Sequence, residues 1–178
     1  LGRDVVFLID VSRSMLAEDL PPSRLERAKL MMTDALRVLE GDRVALVAFA
    51  GAPVVKAPLT FDHAFVRMAV DDLSPASVPR GGSLLGDAIR RTLSDVFDAQ
   101  SECYRDIILI TDGGDQDAVA VEAAREAAAR GVRIIALGLG STDAGAPIPL
   151  NTNGRRRYVT YEGAPVRTAL DAETLRAV

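Results

Sequence analysis

The sequence is poor in the residues from which many metal, redox and catalytic sites are built. It holds one histidine, His63, and one cysteine, Cys103, in 178 residues. A single cysteine excludes an internal disulfide and a CxxC metal or redox site, and we expect Cys103 to be a small, partly buried residue ahead of a strand. His63 lies in the helical pattern FDHAFVRMAV, far in sequence from the other polar residues of interest. We therefore expect a helix-surface histidine rather than part of a Ser-His-Asp triad or a zinc site.

Charge and hydropathy exclude two further classes of partner for this stretch of chain. The sequence carries 21 Lys and Arg among 25 Asp and Glu, and it has no basic stripe of the kind that binds nucleic acid or anionic lipid. Its apolar runs are much shorter than the ~20 residues of a membrane-spanning helix. The chain lacks a starting Met and stops within a helical pattern, AETLRAV. We expect a piece excised from a longer protein, and the short apolar runs here do not exclude membrane segments outside this chain.

Apolar runs alternate with helical patterns along the sequence. Four segments are near-continuous apolar runs, typical of strands buried on both faces: 4–10, 43–49, 106–111 and 132–140. Four others have helical spacing: 23–40, 62–73, 83–97 and 117–130. Ser23 and Glu26 form a capping box at the start of the first predicted helix. The alternation predicts one α/β domain over residues 1–178 with a doubly wound, mostly parallel sheet, and the short segment 54–58 is the predicted antiparallel edge strand.

Residues 146–170 follow a different pattern. Short strand-like pieces, PIPL, RRYVTY and PVRTAL, are separated by Asn-Thr-Asn-Gly and Glu-Gly turns. This pattern predicts a C-terminal β-hairpin appendage within the same domain. The segment RRRYVTY, 155–161, combines arginines with tyrosines and could meet an acidic partner, although a solvated hairpin turn also explains its charges.

Hard oxygen donors follow the predicted strands at their carboxyl ends. Asp10 ends the first strand, Ser12 and Ser14 follow it, Ser83 follows a Gly-Gly pair, and Asp112 directly follows the run DIILIT. In a doubly wound sheet these ends share one rim, where ligands bind. Two carboxylates and three hydroxyls suit Mg²⁺ or Mn²⁺. Capping or turn formation explains each residue singly, but neither requires an acid after two separate strands together with alternating serines and a Gly-Gly-Ser loop.

Three motifs, VFLIDVSRSM, the GGS loop and ILITDGGD, resemble the parts of the metal-ion-dependent adhesion site of von Willebrand factor type A domains. The resemblance covers nearly the whole chain and implies the Rossmann-like fold of that family. It also implies that Ser12, Ser14 and Ser83 are direct metal ligands, and that Asp10 and Asp112 act mainly through bound water. Position 83 is serine where the family usually has threonine, which keeps the hydroxyl and loses the methyl group that helps to fix its rotamer.

Within that family, the segments DVSRSMLAEDLPPSRLERAK, LEGDRVALVAFAG and GLGSTDAGAPIPL are similar to bacterial Bat-type, aerotolerance-related proteins. This resemblance implies a bacterial inner-membrane protein with the present domain in the periplasm. It further implies partners among other Bat-type proteins or a MoxR-type AAA+ ATPase system.

The residues favour a protein-binding module over an enzyme. A metal held mainly by neutral hydroxyls stays electrophilic, so an Asp or Glu of a partner protein would complete its coordination. One alternative is a Mg²⁺-dependent phosphatase of the haloacid-dehalogenase kind with Asp10 as nucleophile. Such an enzyme needs a second acid where this chain has Ser12, and Lys29 and Lys56 do not occupy suitable strand or helix starts. The other alternative is a scaffold that binds through the C-terminal hairpin and has a vestigial metal site.

Overall fold

A central five-stranded sheet organises the computed structural model, which describes residues 2–79, 85–98, 103–113, 118–143, 145–152 and 155–178. Its strands are β1 (Arg3–Asp10), β2 (Arg43–Phe49), β3 (Val54–Thr60), β4 (Tyr104–Thr111) and β5 (Val132–Gly138). The spatial order is β3-β2-β1-β4-β5. The β1–β2, β1–β4 and β4–β5 pairs are parallel, whereas β3 runs antiparallel to β2 at one edge. The predicted doubly wound sheet with an antiparallel edge strand is confirmed.

Helices cover both faces of this sheet. They are α1 (Arg24–Val38), α2 (His63–Asp71), α3 (Leu85–Asp95), α4 (Ala118–Ala129) and α5 (Ala172–Ala177), and a short 3-10 helix, Arg13–Leu16, follows β1. Alternate residues of β1 point to opposite faces, so Phe7 packs in the core under α1 and α2 while Leu8 packs in the core under α3 and α4. The central strand is therefore buried on both sides, as its unbroken apolar run predicts.

The start of α1 confirms one half of the predicted capping box. The Ser23 side chain accepts a hydrogen bond from the backbone N–H of Glu26 at 3.2 Å. The Glu26 carboxylate forms an ion pair with Lys29 Nζ at 2.9 Å instead. A surface Glu and a Lys three residues later are neighbours on a helix, and this pairing takes the Glu26 side chain away from the cap.

The C-terminal appendage, residues 146–170, is three short antiparallel ladders rather than one hairpin. The strand pairs are β6 (Ala146–Pro147) with β11 (Arg167–Thr168), β7 (Pro149–Thr152) with β8 (Arg155–Tyr158), and β9 (Thr160–Tyr161) with β10 (Ala164–Pro165). Glu162 and Gly163 both have positive φ, +48° and +83°, which is typical of a two-residue turn between antiparallel strands. The predicted hairpin exists as β7 and β8, and the Glu-Gly turn adds a second one that returns the chain to β6.

Within the described ranges, no helix combines the length and the apolar character needed to cross a bilayer.

Candidate metal site

Asp10 is the last residue of β1 and lies almost fully buried at the rim, with 6% of its surface exposed. One carboxylate oxygen accepts the Ser12 backbone N–H at 2.8 Å, and the other accepts the Thr111 hydroxyl at 2.7 Å. Thr111 ends β4, and the parallel register that places Ile9 opposite Ile110 brings the two strand ends together. Both oxygens of Asp10 are therefore held by hydrogen bonds from its own loop and from the neighbouring strand.

The two serines of the first motif lie side by side. Ser12 Oγ and Ser14 Oγ are 2.8 Å apart, and both residues are partly exposed. Ser12 occupies the N-cap position of the 3-10 helix, yet its side chain makes no capping hydrogen bond. The structure thus does not support capping as the role of the Ser12 hydroxyl, and it leaves the pair of hydroxyls facing each other at the rim.

Asp112 directly follows β4 and is 1% exposed. Its Oδ2 accepts a hydrogen bond from Arg24 Nη1 at 2.8 Å and another from the Thr168 hydroxyl at 3.2 Å. Its backbone carbonyl accepts the Asp171 N–H at 3.0 Å. The next residue, Gly113, has a φ of +75°, and a Cβ there would lie 2.6 Å from the Asp171 carbonyl oxygen. The loop after β4 is therefore packed closely against the start of α5, as a glycine at this position permits.

Arg24 is the residue of this site that sequence reasoning missed. It begins α1, its side chain is fully buried, and its Nε and Nη2 bind the two carboxylate oxygens of Asp19, each at 2.8 Å. Nη2 also donates to the Thr168 carbonyl at 3.0 Å. One signal was present in the sequence, because Arg24 lies four residues before Ala28 and so falls on the buried face of the helix.

The electrostatics of the site leave negative charge in excess. Burial, and secondarily the nearby charge of Asp112, raise the pKa of the Asp10 carboxyl to about 6. The hydrogen bonds from Arg24 hold the pKa of Asp19 below its usual value, and those to Asp19 and Asp112 raise the pKa of Arg24 although burial opposes them. With every group ionised, the carboxylates of Asp10, Asp19 and Asp112 outnumber the guanidinium of Arg24 by two negative charges.

The donor set fits a hard divalent cation. A pair of hydroxyls beside buried carboxylates offers oxygen ligands, which Mg²⁺ and Mn²⁺ prefer. In the described part of the chain no group of three or more His, Cys, Asp and Glu side chains is placed to hold a metal. A cation at this rim would therefore depend on the serine hydroxyls as well as on the acids.

The structure brings together four of the five residues predicted for this site: Asp10, Ser12, Ser14 and Asp112. Ser83 lies outside the described residues. The position of these four residues at one rim agrees with the prediction. The role of all five residues as metal ligands stays a prediction.

The two lysines and the single histidine, which the sequence did not favour as catalytic groups, lie on other elements. Lys29 Nζ lies on α1, where it bonds the Glu26 carboxylate and the Asp71 carbonyl. Lys56 is on the edge strand β3. His63 Nε2 is 2.9 Å from the carbonyl oxygen of Asp42, which precedes β2 at the opposite end of the sheet from Asp10.

One arginine of the appendage makes contacts within the domain. Arg156 forms an ion pair with Glu18, and its guanidinium carbon lies 5.9 Å from the centre of the Tyr158 ring. Arg157 is exposed, and the side chain of Arg155 lies outside the described part. Cys103 is a partly buried thiol just before β4, as predicted.

The sheet order, the helices on both faces and the paired serines at the strand ends agree with one family of domains. A family model of the von Willebrand factor type A domain matches residues 5–115. The chain belongs to this family. Two solved structures from Bacteroides resemble the domain over 99% of its length. One is a conserved hypothetical protein, BatB, from Bacteroides thetaiotaomicron (TM-score 0.90, 35% identity, 84% of that chain covered). The other is an aerotolerance-related membrane protein from Bacteroides fragilis (TM-score 0.89, 34% identity, 86% covered).

A curated relative of this type A domain is longer than the present chain. A UPF0353 protein of Mycolicibacterium paratuberculosis is 31% identical over 190 residues, which cover the whole of this chain. The chain spans about half the length of that relative, 53%. These likenesses confirm the predicted resemblance to bacterial Bat-type proteins.

Proposed function

We propose that this von Willebrand factor type A domain is a metal-dependent protein-binding module. A divalent cation, Mg²⁺ or Mn²⁺, would be held at the rim by the hydroxyls of Ser12, Ser14 and Ser83, with Asp10 and Asp112 acting mainly through water. The bound cation would supply a Lewis-acidic position that accepts an Asp or Glu side chain of a partner protein.

The observation that carries this proposal is the pair of serine hydroxyls, 2.8 Å apart, beside two buried carboxylates, in which the Ser12 hydroxyl makes no helix-capping hydrogen bond. Burial of carboxylates without matching positive charge is unfavourable, and Arg24 offsets only part of it. A divalent cation matches the remaining excess of two charges. A protein of the same fold from mussel byssus has been solved with zinc in its adhesion motif, but at 24% identity and a TM-score of 0.65 its likeness extends to the fold alone.

The cellular setting is part of the same proposal. Because a similar solved protein is described as an aerotolerance-related membrane protein, we place this domain in a bacterial inner-membrane protein, on the periplasmic side, anchored by segments outside the present chain. Its partners would be other Bat-type proteins or a MoxR-type AAA+ ATPase system that presents an exposed acidic side chain. No catalytic residue is assigned.

Calorimetric titration of Mn²⁺ and Mg²⁺ into the metal-free domain tests the metal site. We expect saturable binding at one site that Ser12→Ala and Ser14→Ala each weaken by at least about 10-fold. Ser94→Ala is the matched control, since that hydroxyl lies exposed on α3, where it donates to the Arg91 carbonyl. Absence of saturable binding by the wild-type domain would refute the proposal.

A second titration tests for the open coordination position. Acetate added to the Mn²⁺-loaded domain should lower the relaxation rate of water protons saturably, because the carboxylate replaces metal-bound water. Metal binding with no acetate effect would contradict completion of the site by a partner carboxylate. Release of phosphate from a phosphate ester that Asp10→Asn abolishes would instead support the phosphatase alternative.

A further inference from the structure

The buried guanidinium of Arg24 is an unusual neighbour for a predicted metal ligand. It is fully buried and donates to Asp112 Oδ2 at 2.8 Å, while the Thr168 hydroxyl donates to the same oxygen at 3.2 Å. A carboxylate oxygen that accepts a hydrogen bond from a cation has less electron density to offer a metal. Arg24 therefore acts directly on the donor strength of Asp112.

The position of Arg24 is built from several parts of the chain. Asp19, in the loop before α1, accepts hydrogen bonds from Nε and Nη2 of Arg24. The Thr168 carbonyl of the appendage accepts a further hydrogen bond from Nη2. Gly140, with a φ of +136°, lies so close that a Cβ there would be 2.8 Å from the guanidinium carbon. The Asp19 carboxylate is itself held by the Ser141 N–H at 2.8 Å. Because all these contacts restrict its rotation, the guanidinium is held facing Asp112.

We propose that Arg24 is a positioning residue that makes Asp112 a weak donor to the cation and its bound water, and so preserves the electrophilicity of the cation for a partner's carboxylate. This inference rests on the proposed function and adds a regulator of that site. It has a distinctive consequence. When Arg24 withdraws negative charge from the Asp112 carboxylate, the site binds the metal less tightly and the bound metal attracts an incoming carboxylate more strongly. The affinity for metal and the affinity of the bound metal for carboxylate therefore change in opposite directions.

Two substitutions change this balance with opposite signs. Arg24→Gln removes the positive charge, so Mn²⁺ should bind about 10-fold more tightly and acetate should bind the Mn²⁺ form about 10-fold more weakly. Asp19→Asn leaves the guanidinium less neutralised, so Mn²⁺ should bind more weakly and acetate more tightly. Arg24→Lys keeps the charge and should recover most of both wild-type affinities.

The experiment measures Mn²⁺ affinity by calorimetry and acetate affinity by water-proton relaxation for each variant. Arg43→Gln is the control, since it removes a guanidinium from the Asp4 carboxylate, 2.8 Å from Nε, at the other end of the sheet, and should leave both affinities unchanged. The opposite shifts would support the proposal. Shifts of the same sign in both affinities, or none, would overturn it.

The outcomes separate this inference from the proposed function. A wild-type domain that binds Mn²⁺ and acetate while Arg24→Gln and Asp19→Asn bind them equally well refutes only the role of Arg24. A wild-type domain that binds no Mn²⁺ refutes both. If Arg24→Gln shows no cooperative thermal transition, the sign of the Asp19→Asn shifts decides alone, because Asp19 is near the surface with 13% of its side chain exposed.

Discussion

Replacing Asp10 by Asn should stabilise the metal-free domain at neutral pH. The amide is close in shape to the carboxylate, and its oxygen can still accept the Ser12 N–H that Asp10 accepts at 2.8 Å. The other position faces the Thr111 hydroxyl at 2.7 Å, which can accept as well as donate. The substitution therefore removes a buried negative charge and retains most of the hydrogen bonds around it.

The size of the effect follows from the pKa of Asp10. Its value rises from 3.8 in the unfolded chain to about 6 in the fold, chiefly through burial. Between about pH 4 and pH 6 the folded state binds more protons than the unfolded state. The contribution of Asp10 to stability is therefore fully present below about pH 4 and is lost as the pH rises through 6. Two pKa units correspond to about 3 kcal/mol in the free energy of unfolding.

Urea denaturation of the chelator-treated domain from pH 4 to pH 7.5 measures this difference. We expect the wild-type free energy of unfolding to fall relative to Asp10→Asn by about 3 kcal/mol over that range. The order should reverse when metal is added at about 1,000 times its Kd, because the cation then stabilises only the protein that binds it, by about 4.1 kcal/mol, which exceeds this difference. Parallel pH profiles for the two proteins, or a metal-free variant less stable than wild type at pH 7.5, would refute the electrostatic reasoning.

Three further predictions concern packing and local backbone, each checked by urea denaturation. Leu36→Ala should lower the free energy of unfolding by about 2–5 kcal/mol because Leu36 is in the core, whereas Leu30→Ala on the same helix should change it little because Leu30 is 53% exposed. Gly113→Ala should be more destabilising than Gly163→Ala, since both have positive φ but only the first would place a Cβ against backbone, 2.6 Å from a carbonyl oxygen; equal losses would contradict this. Ser23→Ala should cost about 1 kcal/mol through loss of the helix cap, and an unchanged stability would show that the cap is dispensable.

Periodicity in the sequence was sufficient to predict the central architecture. Near-continuous apolar runs indicate strands that are buried on both faces. When amphipathic helices separate such strands, few folds other than a doubly wound sheet can bury both faces. The rim site followed because parallel strands end at a common edge, so Asp10 and Asp112 had to be near each other although they are far apart in sequence. The appendage was predicted less well. Its turns were visible as Asn-Gly and Glu-Gly pairs, but the pairing of β6 with β11 joins residues about twenty positions apart and has no local signature.

Arg24 shows why part of the site could not be read from sequence. Helical spacing places it on the buried face, yet a charged residue in the first turn usually turns to solvent, and nothing local distinguishes the two. Its burial is made possible by Asp19, Asp112 and Thr168, and the last two lie 88 and 144 residues away. Removing any one partner would leave the buried charge of Arg24 less well compensated, so each contact contributes to holding the guanidinium in place. The same interdependence ties the appendage to the rim: Thr168 reaches both Arg24 and Asp112, so the segment that looked like an accessory hairpin supplies part of the environment of the predicted metal ligand.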